Sequence, residues 1–113
     1  MDDRISIENA QGTWVVRAGG AIIGESDAAL SLTEDGYPEV IYFPRDDVAM
    51  AFLDESRKTT HCPAKGDARY YSIQTKSLTI SDAAWSYERP YDDMDPIAGC
   101  IAFSGEGVTV EPA

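Results

Sequence analysis

Cysteine is nearly absent from this sequence: Cys62 and Cys100 are the only two in 113 residues. Two thiols cannot staple a disulfide scaffold, and in a reducing compartment they stay free. The single histidine, His61, sits beside Cys62. Together they fall short of the four cysteine or cysteine–histidine ligands of a structural zinc site, so no metal is expected. Basic residues are scarce as well. Nine Lys and Arg stand against twenty Asp and Glu, for a net charge of -11. Nonspecific nucleic-acid binding depends on cations that release counterions from phosphates, and that surplus is missing here. An anionic membrane surface is disfavoured on the same ground. Long apolar runs are lacking too. The longest, Val48-Ala-Met-Ala-Phe-Leu53, is far short of the roughly 18 residues of a membrane helix. Met1 to Ile5 has neither the basic start nor the apolar stretch of a signal peptide, so a cytoplasmic location is expected. There is no internal repeat, no low-complexity tract and no cofactor motif, nor any motif for a particular oligomeric state.

What is there suits one small domain. The chain is 43% hydrophobic, too apolar for wholesale disorder and long enough to bury one core. Residues 1–11 are polar and weakly periodic, which predicts a frayed N-terminal arm ahead of a single domain over 12–113. Thr13-Trp-Val-Val-Arg17 and Ala21-Ile-Ile-Gly-Glu25, split by Gly19-Gly20, predict a hairpin. A helical turn is expected near Ser26 to Leu30. Glu39-Val-Ile-Tyr-Phe43 is a strand that Pro44 stops. Val48, Ala49, Phe52 and Leu53 recur with a helical period behind Asp46 and Asp47, predicting one short helix at about 46–55. Thr59 to Asp67 is expected as a loop. Further strands are expected over 69–75, 77–81, 83–87, 97–104 and 108–110, with a helical turn near Tyr91 to Met94. Many short strands and one short helix give a mainly β fold. The core candidates are Trp14, Val15, Val40, Ile41, Phe43, Phe52, Ile73, Leu78, Ile80, Ile97, Ile101, Phe103 and Val108.

The most suggestive segment is Thr60-His-Cys-Pro-Ala-Lys-Gly66. Lys65 there offers a charge for an anion or, if desolvated, an amine for carbonyl chemistry. Gly66 would let backbone approach a ligand. Cys62 is a candidate nucleophile if His61 or Lys65 lowers its pKa. No second thiol lies nearby to resolve a sulfenic acid. Cys100, in an apolar strand, reads as a small core hydrophobe. Arg45, at a strand end, would fork onto an anion or clamp a carboxylate. Trp85 and Tyr87 alternate with Ala84 and Ser86, so they share one strand face as either a pocket wall or core. Tyr70 and Tyr71 face opposite ways, so at most one joins them. Glu88 is the best single acid–base candidate. Asp92-Asp-Met-Asp95 lacks the alternating ligands, glycine and terminal glutamate of a calcium loop and reads as a solvated charge run.

Three ordered blocks also carry a resemblance: Val40-Ile-Tyr-Phe-Pro-Arg-Asp-Asp-Val48; Thr60-His-Cys-Pro-Ala-Lys-Gly-Asp-Ala-Arg-Tyr-Tyr71; and Ala84-Trp-Ser-Tyr-Glu-Arg-Pro90 with Ile97-Ala-Gly-Cys-Ile-Ala-Phe103. From about Trp14 to Val110 the chain closely resembles the domain of unknown function 427 family, also labelled nucleotidyltransferase-like. The resemblance implies a small β-tent of two antiparallel sheets leaning together. That architecture also resembles methionine-R-sulfoxide reductase B and several zinc-binding domains, whose paired Cys-x-x-Cys ligands this chain lacks. Nucleotidyl transfer needs a glycine-rich phosphate loop beside paired carboxylates, and Asp46-Asp47 has none.

Residues and resemblance together predict a domain that binds a small anionic or sugar-like ligand through Arg45, His61, Lys65, Gly66, Tyr70, Trp85 and Tyr87. The first alternative is an enzyme using Lys65 or Cys62 in carbonyl or redox chemistry, with Glu88 as a further catalytic candidate. The second is a protein-interaction module that uses an exposed sheet edge.

Overall fold

A computed structural model describes residues 4–113, and among them ten strands form three antiparallel sheets. The first sheet has the order β1 (Ile5–Asn9), β4 (Leu30–Glu34), β5 (Val40–Tyr42). The second runs β10 (Val108–Pro112), β2 (Trp14–Ala18), β3 (Ala21–Ser26). The third is a meander of β6 (Leu53–Cys62), β7 (Gly66–Gln74), β8 (Thr79–Ser86) and β9 (Ala102–Phe103). A bridge between Phe43 and Ile101 joins the first sheet to the third, and one between Gly24 and Val48 ties the second to the segment after β5.

The mainly β class is as expected, with three hydrogen-bonded sheets rather than two. The short helical segment after Pro44 takes the form of two 3-10 turns, Arg45–Asp47 and Met50–Phe52. Neither continues, because tertiary partners claim the flanking residues: Val48 bridges to Gly24, and Leu53 opens β6 opposite Ile73. Residues 5–9, expected to fray, form β1 instead. Ile5 is buried and the strand pairs along its length with β4. Residues 1–3 of that arm lie outside the described residues. In place of the helical turn expected at 26–30, β3 ends at Ser26, the chain bends at Asp27 and Ala28, and β4 begins at Leu30, whose side chain alternates with Leu32 toward the core. The loop expected at 59–67 is mostly strand, since β6 runs to Cys62 and only Pro63 to Lys65 turn before β7. The strand expected at 97–104 shrinks to β9 and the Ile101 bridge. A 3-10 segment occupies Asp92–Ile97, and Gly99 at φ 74 breaks the extended path.

Two apolar clusters form the interior. One joins Val16, Ile23, Phe43, Ile73, Ile101 and Phe103, with Trp14, Val108 and Val110 at its margin. Phe43 and Phe103 meet edge-on inside it at 5.8 Å, a favoured aromatic geometry. The other joins Ile5, Leu32, Tyr42, Tyr87, Met94 and Ile97, with Cys62, Tyr70 and Trp85 at its margin. Of the expected core residues, Val15, Ile41, Phe43, Ile73, Ile97, Ile101 and Phe103 are buried. Trp14, Val40, Phe52, Leu78, Ile80 and Val108 are half-buried. Among the described residues no helix is long and apolar enough to cross a membrane.

Candidate cleft and an arginine clamp

The β6–β7 hairpin and the end of β8 bring most of the candidate residues together. Register places Tyr70 opposite Trp85 on neighbouring strands, and their rings meet at 6.2 Å with a 35° tilt. Trp85 and Tyr87, two residues apart, look the same way. With His61, Cys62 and Lys65 these three aromatics line a cleft of about 770 Å³. That volume is in the range of small-molecule sites. Tyr71 points to the opposite face, into the first core cluster.

Lys65 stands in the turn after β6 and is 7% exposed. A buried ammonium is costly unless paired, and its partner is Glu34 at the end of β4, with Nζ 2.9 Å from Oε1. Burial acts to lower the Lys65 pKa. The Glu34 hydrogen bond and neighbouring acidic groups outweigh it and hold the pKa above the usual lysine value. The same Nζ lies 3.7 Å from Cys62 Sγ. Burial pushes Tyr42 up to about 12 and raises Tyr87 further still. Both phenols are therefore neutral hydrogen-bonding groups at physiological pH. Tyr42 accepts a 3.4 Å hydrogen bond from the Trp85 indole nitrogen. His61 is exposed and paired with Asp67 at 2.7 Å across the hairpin.

Glu34 and Tyr42 are among the cleft residues that sequence reasoning missed. Glu34 is one of twenty acids and carries no local signal. Tyr42 alternates with Val40 along β5, and that period was the available clue, since both line the cleft.

Arg45, Glu88 and Gly66 lie away from the cleft lining. Arg45 is a clamp. Its Nε donates to Gly99 O at 3.0 Å, and its Nη2 donates to Glu88 Oε2 at 3.0 Å and to Ser86 Oγ at 3.4 Å. Glu88 also accepts from the Tyr71 hydroxyl at 3.0 Å and lies 3.6 Å from Arg69 Nε. Glu88 thus holds two hydrogen-bond donors, Arg45 and Tyr71, and an ion-pair neighbour, Arg69. Gly66, at φ 116, lets backbone rather than ligand come close: an added Cβ would lie 3.5 Å from Pro90 Cα, and Tyr91 N donates to Lys65 O at 2.9 Å. Cys100 is buried beside Pro96, and burial raises its pKa. Among the described residues no group of three or more His, Cys, Asp or Glu is placed to hold a metal ion.

The architecture is that of a small strand-rich domain with one aromatic-walled cleft beside a buried ion pair. Residues 6–112 match the family described as Domain of unknown function (DUF427), and the chain belongs to that family. A search of curated proteins found no match.

Proposed function

We propose that this domain binds a small, neutral, hydroxylated ligand, sugar-like in character, in the cleft between the β6–β7 hairpin and β5. The observation that carries the reading is the tilted Tyr70–Trp85 pair beside the buried Lys65–Glu34 ion pair. Aromatic faces suit the apolar face of a sugar ring, while an ammonium, a carboxylate and neutral phenols offer donors and acceptors to its hydroxyls. Charge favours the sugar-like over the anionic class. Glu34 neutralises Lys65, Asp67 pairs with His61, and Glu39 adds a negative charge to the lining.

Enzymatic use of Cys62 is the second reading, and it rests on the 3.7 Å contact with Lys65. Schiff-base chemistry at Lys65 is disfavoured, because an amine held protonated against a carboxylate is a poor nucleophile. A β-addition partner is disfavoured as well. The exposed edge strand β6 is rich in charge and irregular between Glu55 and Thr59, features that blunt an edge against pairing.

A thermal-shift series with methyl glycosides, free hexoses and sugar phosphates tests the proposal. A ligand at about 100 times its Kd adds roughly 2.7 kcal/mol, and about 4–8 °C per kcal/mol makes that plain in a domain of this size. A rise with neutral sugars that is lost in Trp85→Ala supports it. A response confined to the phosphates, or none in the whole series, overturns it.

A further inference from the structure

The cleft lining is segregated by element. The charged residues on it, Glu34, Glu39 and Lys65, and the imidazole of His61 come from β4, the β4–β5 connection or the β6–β7 hairpin, on the side of the second core cluster. The residues that β2, β9 and β10 contribute carry no charge. They are Trp14 and Val110, at the margin of the first cluster, Phe103, inside it, and Pro112. Trp14 and Pro112 are register partners, so the indole and the proline ring sit side by side. The indole nitrogen of Trp14 donates to Gln11 O at 3.1 Å, which satisfies its polar atom and leaves an apolar ring toward the cleft. One continuous cleft thus joins a hydrogen-bonding half to an apolar half. A bare monosaccharide would fill the first and leave the second wet.

We infer that the ligand is amphiphilic: a hydroxylated ring held at Lys65 and Glu34, joined to a flat apolar group that lies against Trp14 and Val110. This rests on the reading of the cleft given above and extends it by naming the second half of the molecule. Apolar area taken out of water on Trp14 supplies affinity without a further polar contact.

The test compares methyl and phenyl β-glycosides of the common hexoses, with Kd read from chemical shifts in two-dimensional NMR. The phenyl compounds should bind at least about tenfold tighter than their methyl counterparts, a modest share of what burying an aromatic ring offers. Trp14→Ala should abolish that difference, bringing phenyl glycoside affinity down to that of the methyl compounds. Trp14→Leu, which keeps an apolar side chain at the same position, should restore part of it and guards against a folding defect in the alanine variant. Equal affinity for methyl and phenyl compounds would overturn the amphiphilic inference while leaving sugar binding in place. Absence of binding by all of them would overturn the sugar-binding reading, and this inference with it.

Discussion

The ammonium of Lys65, in the turn between β6 and β7, lies 2.9 Å from the carboxylate of Glu34 at the end of β4. This ion pair fastens the third sheet to the first and sits on the wall of the cleft. Both side chains are largely shielded, at 8% and 18% exposure. Removing one partner therefore differs from removing both. Glu34→Gln should cost about 3 kcal/mol, since it leaves a buried ammonium without its counter-charge. The double variant Glu34→Leu with Lys65→Met should lose much less, because paired removal also ends the desolvation cost. Urea denaturation of the two proteins checks the difference.

Alkaline pH should weaken the fold. Burial raises Tyr42 from 10.0 to about 12, and Tyr87 and Lys65 are also raised. Each holds its proton more tightly in the folded protein than in the unfolded chain. The stability each contributes is complete below the unfolded pKa and is lost as pH rises through the folded one. For Tyr42 that window runs from 10.0 to about 12. Denaturation midpoints should fall across it, and Tyr42→Phe should flatten the fall.

The two thiols should differ in reactivity. Cys62 is half-buried on the cleft wall, whereas Cys100 is buried and raised by its surroundings. Iodoacetamide should therefore label Cys62 first in the native protein, as peptide mass spectrometry would show, and a ligand in the cleft should slow that labelling. Equal rates at both cysteines would contradict this assignment.

Arg45 should matter to stability and not to binding. Its guanidinium ties the end of β8 to the turn at Gly99 through donors that a lysine cannot arrange in the same fork. Arg45→Lys should lower stability by about 1–2 kcal/mol, as expected for lost charge-assisted hydrogen bonds at a partly exposed site. Cleft affinity measured by titration should stay unchanged.

The sequence made the central strands legible wherever β-branched and aromatic residues cluster, as in Trp14 to Arg17 and Glu39 to Phe43. It concealed β6 because an edge strand exposed along most of its length has no need of apolar alternation: Asp54 and Glu55 read as the end of a helix and Thr59 to Cys62 as loop. The 46–55 segment has a helical period, yet Val48 and Leu53 serve two different sheets. Local pattern gave way to pairing at a distance. Part of the cleft lining was legible, since His61, Cys62, Lys65, Tyr70, Trp85 and Tyr87 come from a hairpin and its neighbouring strand. Glu34 was not, because only the packing of β4 against the Lys65 turn singles it out from nineteen other acids. Arg45 at a strand end looked equally fit for a ligand or a clamp, and its guanidinium is engaged by Gly99, Ser86 and Glu88.

The most direct test of the account is an amide and indole NMR titration of the full chain with a phenyl glycoside. The account predicts saturable shifts at the indole of Trp85, at Tyr70 and through the turn bearing Lys65, with Arg45, Glu88 and Gly99 quiet. Shifts centred on Arg45 and Glu88, or a spectrum unmoved at saturating ligand, would contradict it.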